Sequence, residues 1–535
     1  MIALVTGVVG LVIITAVVRA GARRGGVPEP VALLVVGVGL SWVPGMPDFH
    51  IDPELVLVVV LPVLLYGAAF AASLPTFRVH VRSILLLSVG LTVASALAVG
   101  AVASALVPGL GIAAACVLGA VVAPPDAVAA TAIARNIRLP RRVVALLEGE
   151  SLFNDAAALT ALTVAVGAVE TGTVSFSAAA GQFLLAGAGG VAVGGVAGLV
   201  VGAVRARVTH PYTDVVVYLV APLVAFLPAE ELGASGLVAV VVAGLYLGHR
   251  ATTIIEPGAR VVTGAVGTAV SWLLEGVLFL LVGLQLRDVV AGIAGTPVEI
   301  VAGVSAAVVV TLAVVRAGWL LVAEQVLPGL IRRRHASWKE TTLTAWSGMR
   351  GTVSLAAVLS VPTVLPDGRG FPDHDLLVFV TFVVILATLL GHGLTLPALA
   401  RHLPGMRGEA VEEAQEEARA RRLAADAALE CLGRLEREEP GRRAVVEQLR
   451  RRVDNRRNSA AERLAEVSVE EPAPGDVDAA QDGESTRHTY RRYGQAVLAA
   501  ERSRLLALRN AGTLGEDAFV RIQHQLDLEQ AALLA

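Results

Sequence analysis

Apolar residues are distributed along this chain in long blocks rather than in short alternating stretches. Such runs occur near 2–20, 29–44, 54–74, 82–106, 109–134, 143–168, 180–204, 213–228, 233–248, 262–285, 298–322, 341–363 and 375–399. Most are long enough to cross the ~30 Å hydrocarbon layer of a bilayer as a helix, while 29–44 and 213–228 are short. Backbone polar groups in lipid must be satisfied within their own segment, so the runs predict helices. The expected fold is an all-α integral membrane protein with about 13 transmembrane helices. The glycine-rich run 180–204, which contains AGAGGVAVGGVAGLVVGAV, predicts a close packing surface between helices.

Beyond residue 405 the pattern changes. Residues 1–405 form the expected transmembrane domain, and 406–535, dense in Arg and Glu, the expected cytoplasmic tail. Within the tail, 409–457 reads as a charged helix broken near Pro440-Gly441. Residues 469–488 read as an acidic flexible linker, and 489–534 as two amphipathic helices around Asn510-Ala511-Gly512. The tail suits a regulatory or oligomerising module, or equally a solvated helical appendage.

The loops between the runs segregate charge. One alternate set carries Arg19, Arg23 and Arg24; Arg78 and Arg82; Arg135, Arg138, Arg141 and Arg142; Arg205 and Arg207; Arg250 and Arg260; and Arg332, Arg333, Arg334 and Lys339. The other set carries only Arg287 and Arg369, with acids such as Asp48, Glu170 and Glu230. Positive charge stays inside, so the N-terminus is expected outside and the C-terminus in the cytoplasm. The first apolar run precedes its positive charges, which fits a first membrane helix rather than a cleaved signal peptide.

Composition agrees: 55% of residues are hydrophobic and 17% charged, against ~25% charged in soluble domains. A net charge of −3 leaves no basic footprint for nucleic acid. The two cysteines, Cys116 and Cys431, offer neither a disulfide framework nor a zinc site.

Against this background the acids inside the runs stand out, because a carboxylate at bilayer depth costs at least ~3 kcal/mol. Asp126 follows Pro124 and Pro125, which remove two backbone donors and predict an interrupted helix. Broken helices expose carbonyls and helix ends that transporters use to hold ions. A plain proline kink near the cytoplasmic end is the other reading. On the next run Glu148, Ser151 and Asp155 share one helical face, with Glu150 and Asn154 on the adjoining one. Asp155 lies deepest. Burial favours its neutral form and a bound cation its carboxylate, so one site can take either a proton or a metal cation. The alternative for each acid is a structural pairing with an arginine.

A second interruption is expected in TAWSGMRGTVSLAAVLSV, where Gly348 and Gly351 bracket Arg350. An arginine at that depth needs a carboxylate, and Glu150 is the expected partner. Interrupted spans in both halves of a chain are the mark of a repeat-built transporter with a midplane site. Glu275 and Arg316 are expected to pair structurally. His392 could titrate near neutral pH, although a lone histidine near a helix end is commonly structural. No HExxH motif occurs, nor any span serine with a convincing histidine partner, so no enzyme is expected.

The segments PPDAVAATAIAR, LEGESLFNDAAAL and WSGMRGTVSLAAVL, in this order and spacing, resemble the monovalent cation/proton antiporter-1 family. The resemblance covers the whole membrane domain, and YRRYGQAVLAAERSRLLALRNAGTL resembles the tail of a bacterial subgroup. It implies thirteen helices built as inverted repeats with helices 5 and 12 interrupted. It also implies a homodimer in membrane lipid, a core domain moving against a dimer-forming domain, and no cofactor. Asn154-Asp155 matches the family's paired Asn-Asp. Asp155 would bind Na+ or the proton, Asp126 would complete the site, and Ser151 would be a further ligand. Glu150 and Arg350 match the structural ion pair, with Glu148, Pro125 and Glu275 as secondary candidates. Asparagine at 154 is associated with electroneutral exchange. Two departures stand out. The fifth-helix motif of archaeal relatives begins Thr-Asp-Pro, where this chain has Pro125-Asp126-Ala127, and their third-helix acid is replaced by Gly67 after Tyr66. The expected function is exchange of Na+, or Li+, for H+ across the cytoplasmic membrane, serving pH and sodium homeostasis. The alternatives are K+/H+ exchange, or a transporter-like sensor that signals through its tail.

Overall fold

A computed structural model of the chain describes residues 2–44, 53–72, 74–126, 141–172, 176–208, 210–293, 295–326, 338–402, 407–439, 443–466 and 484–534. The described residues are helical almost throughout, with a single isolated β-bridge between Val364 and Gly370. The membrane helices run in order α1 (Ile2–Gly25), α2 (Glu29–Ser41), α3 (Pro53–Ala71), α4 (74–106), α5 (Ile112–Val122), α6 (Arg141–Thr171) and α7 (Phe176–Arg205). Then come α8 (Pro211–Glu231), α9 (Gly236–Ile254), α10 (Pro257–Leu284), the short α11 (Leu286–Gly292) and α12 (Val298–Val326). The half-helices α13 (Trp338–Trp346) and α14 (Thr352–Leu359) precede α15 (His374–His402).

Among the described residues nine helices are long and apolar enough to cross a membrane. The predicted runs at 2–20, 29–44 and 341–363 are met by α1, α2 and the pair α13 and α14, while of the run 109–134 α5 covers Ile112–Val122 and residues 127–134 lie outside the described residues. The basic loop with Arg135 and Arg138, and Arg332 to Arg334, lie outside the described residues. Large apolar side chains such as Ile13, Leu185, Val196, Val220 and Val314 are exposed, as a surface facing lipid tails requires.

Close helix crossings occur where the chain places glycine. On α7 a Cβ at Gly194 would overlap the Ala239 backbone of α9, which is the packing face the glycine-rich run predicted. Gly248 of α9 meets the Phe70 backbone of α3 in the same way.

By internal packing the chain divides into two units. The first comprises residues 1–207, 216–254 and 266–403. The second joins residues 404–535 with two short segments, 208–215 and 255–265. It contains the tail helices α16 (Arg407–Glu438), α17 (Arg443–Glu466), α18 (Glu484–Asn510) and α19 (Glu516–Leu534). Gly512, at φ +69°, makes the expected turn between the last two. The expected linker extended to 488, but Glu484–His488 already belong to α18; an acid in the first turn suits a helix N-terminus. Residues 467–483 lie outside the described residues.

Two apolar clusters hold the tail helices together, one around Leu498, Leu505 and Phe519 and one around Leu432, Val446 and Tyr493. A polar knot ties α19 to the segment 255–265. Arg260 donates to both carboxylate oxygens of Asp527, at 2.9 and 2.5 Å. Arg502 and Gln523 donate to the same carboxylate at 2.9 and 3.1 Å. Thr263 donates to Asp214 at 2.7 Å, joining the two short segments.

Candidate functional site

The α5 helix stops at Val122 because Pro124 and Pro125 cannot donate to the preceding turn. The break leaves main-chain groups that need partners. The Val122 and Ala123 carbonyls accept from the Arg350 guanidinium at 2.9 and 3.2 Å. The Pro125 carbonyl accepts from Asn154 Nδ2 at 2.6 Å, and the Asp126 amide donates to the Met349 carbonyl at 2.6 Å.

A second break separates α13 from α14 and lies against the first. The Arg350 amide donates to Thr388 Oγ1 at 3.0 Å, and its guanidinium also donates to the Gly348 carbonyl. Gly351 precedes α14, and any Cβ there would overlap the Asp126 carboxyl group. Glycine at 351 therefore makes the room in which the Asp126 carboxylate lies at the N-terminal end of α14, where helix amides favour an anion. The interruption predicted at Gly348–Gly351 is present; at the other, α5 ends and residues 123–126 are non-helical, with the continuation beyond 126 outside the described residues, and the two breaks meet.

The expected Glu150–Arg350 pair does not form. Glu150 is held instead by Arg316 of α12 through a bidentate contact at 2.6 and 3.0 Å. Arg316 also donates to the Thr344 carbonyl of α13, at 3.2 and 3.0 Å. The two arginines divide the work: Arg316 neutralises the buried acid, and Arg350 satisfies carbonyls freed by both breaks. The expected Glu275–Arg316 pair fails for the same reason. Glu275 lies 4.0 Å from Arg19, which also pairs with Glu29 at 3.2 Å and donates to the Trp272 carbonyl at 2.7 Å.

Asp155 is only 7% exposed and lies one residue beyond the helix-bridging Asn154. Both ends of the Asn154 amide are engaged, since Oδ1 accepts from the Asp155 amide at 2.7 Å while Nδ2 holds Pro125. A cavity of about 10 Å³ lies beside Asp155, lined also by Pro124, Ala158, Val353, Ser354 and Ala357. That is room for roughly one water-sized particle. Glu148 and Ser151, on the same helical face as Asp155, are half-buried and do not line it. His392 packs its ring 5.0 Å from that of Trp346. At Gly67 a Cβ would face Ser271 Oγ at 3.1 Å and Tyr218 Oη at 3.5 Å, so hydroxyls stand beside the position where archaeal relatives carry an acid.

Three contributors went unnoticed in the sequence: Thr388, Ser354 and the spatial role of Gly351. The two hydroxyl residues resemble many others in the spans. Gly351 was noticed as a helix breaker, whereas its function is to admit a carboxylate.

Comparison with known proteins agrees with this geometry. The family model described as sodium/hydrogen exchanger, transmembrane, matches residues 10–402. A Mycobacterium tuberculosis protein named an uncharacterized Na(+)/H(+) exchanger is 35% identical, over 99% of this chain and 97% of its own length. The Na(+)/H(+) antiporter ApNhaP of Aphanothece halophytica is 31% identical over 75% of each chain. Among solved structures, the sodium proton antiporter MjNhaP1 of Methanocaldococcus jannaschii shares the fold. The TM-score is 0.60 at 20% identity, covering 75% of this chain and 98% of that one. The chain is thus a multi-pass membrane protein and belongs to the transmembrane sodium/hydrogen exchanger family.

Proposed function

We propose that this protein exchanges Na+ for H+ across the cytoplasmic membrane by alternating access, with Asp155 as the carboxylate that carries either ion. The observation that carries this reading is Asp155 itself, buried beside a small cavity where two interrupted helices meet. Asp126 completes the site from the end of the broken α5. Asn154 positions the pair by holding the Pro125 carbonyl, with Ser151 as a further ligand and Glu148 a secondary candidate on the same face of α6. One acid that accepts one proton or one Na+ makes the exchange one for one and electroneutral. Competition then couples the fluxes, because a protonated Asp155 has no charge to offer a cation.

The protein acts as a transporter rather than an enzyme and needs no cofactor. The membrane domain crosses thirteen times as inverted repeats, with the N-terminus outside and the charged tail in the cytoplasm. It assembles as a homodimer and serves pH and sodium homeostasis.

The test is ion-driven collapse of a pH gradient in proteoliposomes. Addition of Na+ should dissipate the gradient in the parent protein and leave it intact in Asp155→Asn. Full exchange by Asp155→Asn, or a parent response to K+ but not to Na+, would overturn the assignment.

A further inference from the structure

Several hydrogen bonds around the two breaks share peptide groups, and together they form one chain. The Asp155 amide donates to Asn154 Oδ1 at 2.7 Å, and Asn154 Nδ2 donates to the Pro125 carbonyl at 2.6 Å. That carbonyl belongs to the same peptide unit as the Asp126 amide, which donates to the Met349 carbonyl at 2.6 Å. The Met349 carbonyl in turn shares a peptide unit with the Arg350 amide, which donates to Thr388 Oγ1 at 3.0 Å. Thr388 Oγ1 donates to the Val384 carbonyl at 2.7 Å and ends the chain on α15.

Every link runs in the same direction, from α6 to α15. A peptide unit is planar, so holding its N–H also aims its C=O. Hydrogen bonds in series polarise one another, so each link strengthens the next. Asp126 and Arg350 lie outside the helices, and their amides have no helical turn to hold them. Thr388 is 3% exposed and Asn154 fully buried, so water does not compete freely for either end.

α15 supports the same break at a second point. Thr388, His392 and Thr395 follow one another at i, i+4 and i+7 and share a face of the helix. Thr395 Oγ1 accepts from Nε1 of Trp346, the last residue of α13, at 2.8 Å, and the His392 ring packs on the same indole. The helix thus holds both the end of α13 and the peptide unit that carries Asp126.

We infer that Thr388 is a positioning residue of the ion site, the anchor through which α15 places Asp126 relative to Asp155. It acts through main-chain groups and not on the cation. This rests on the assignment of Asp155 and Asp126 to the ion site.

The experiment uses the full-length protein in proteoliposomes at fixed pH, with Na+ titrated. Thr388→Val keeps the shape but leaves the Arg350 amide without an acceptor. It should raise the KM for Na+ by about tenfold with kcat nearly unchanged, and Thr388→Ser should restore the parent value. Thr381, fully buried on the same helix, makes the same bond back to its own helix at 2.8 Å. Thr381→Val should therefore leave KM at the parent value. A merely structural role for Thr388 would lower the yield of active protein and leave KM alone. Asn154→Ala and Thr388→Val cut one chain, so the double variant should raise KM by clearly less than the product of the single effects. Should Thr388→Val fold poorly, Thr388→Ala is read in its place, with the same rise expected. A parent-like KM in the variant read, or a double variant that reaches the full product, overturns the inference. If exchange persists in Asp155→Asn, the site assignment falls and this inference with it. A parent-like Thr388 variant beside an inactive Asp155→Asn removes only the role of Thr388.

Discussion

Glu150 of α6 and Arg316 of α12 form a bidentate ion pair whose side chains are 1% and 3% exposed. In the same core Arg350 donates to three carbonyls and, among the described residues, to no carboxylate. Two buried arginines thus have separable duties, and the difference can be measured. Removing one partner of a buried pair leaves an uncompensated charge, at a cost of ~3–5 kcal/mol. Glu150→Gln and Arg316→Gln should each lower the melting temperature in detergent, and the double variant should recover part of that loss. Glu150→Gln with Arg350→Gln should instead be additive. Recovery in that second double variant, and none in the first, would reassign the pair to Arg350.

The contact between Gly351 and Asp126 leads to a second expectation. There is no space for a methyl group at 351 unless the carboxyl moves. The backbone there is extended, at φ −134°, and suits any residue, so the requirement for glycine is purely steric. Overpacking of this kind costs ~1–3 kcal/mol. Gly351→Ala should therefore lower the melting temperature modestly and reduce exchange far more, because the displaced group belongs to the proposed ion site. A variant with parent exchange rates would show that Asp126 does not need this position.

In the second unit, Asp527 is surrounded by Arg260, Arg502 and Gln523, with side-chain exposures of 4% for the acid and 11% for Arg260. Burial holds the Arg502 guanidinium below its ordinary range, Asp527 draws it back up, and Arg260 opposes that. Without the carboxylate, two cations would face one another in a partly dry site. Asp527→Asn should thus loosen α19 from the segment 255–265. Limited trypsin digestion and hydrogen exchange of the full-length protein would read this as faster cleavage within α18 and α19 and faster exchange at 255–265. Acceleration in α19 with no change at 255–265 would show that the Arg260 contact holds nothing in place.

Much of this was legible in the sequence, for identifiable reasons. Helices were readable because lipid forces apolar runs to be helical, and the two breaks because Pro124-Pro125 and Gly348–Gly351 interrupt such runs. The acids were readable because their burial is costly. The partner of Glu150 was not, since Arg316 and Arg350 are equally plausible by depth and charge, and only the folded contact of Arg316 with Glu150 decides between them. Thr388 gave no signal because its hydroxyl bonds back to its own helix as ordinary threonines do, and its second lone pair happens to meet an orphaned amide. The capture of 255–265 by the tail unit depends on Arg260, which in sequence is one loop arginine among many.

The competition assigned to Asp155 has a quantitative consequence. If a single carboxylate binds either one proton or one Na+, protonation removes the free site in direct proportion to proton activity. The KM for Na+ should then be flat at high pH and rise as pH falls. Once the protonated form dominates, the rise is tenfold for each pH unit, that is, a slope of −1 in log KM against pH. The sign follows from the charge: acid conditions neutralise the carboxylate and so weaken cation binding. Asn154 does not titrate, so no second proton steepens the curve. Because Asn154 only positions the Pro125 carbonyl, Asn154→Ala should move the curve upward at every pH without changing its slope. Measured by Na+-driven gradient collapse across a pH series, a slope of −2 would place a second titrating acid in the competition, with Asp126 the nearest choice. A KM independent of pH would separate the proton and cation sites altogether.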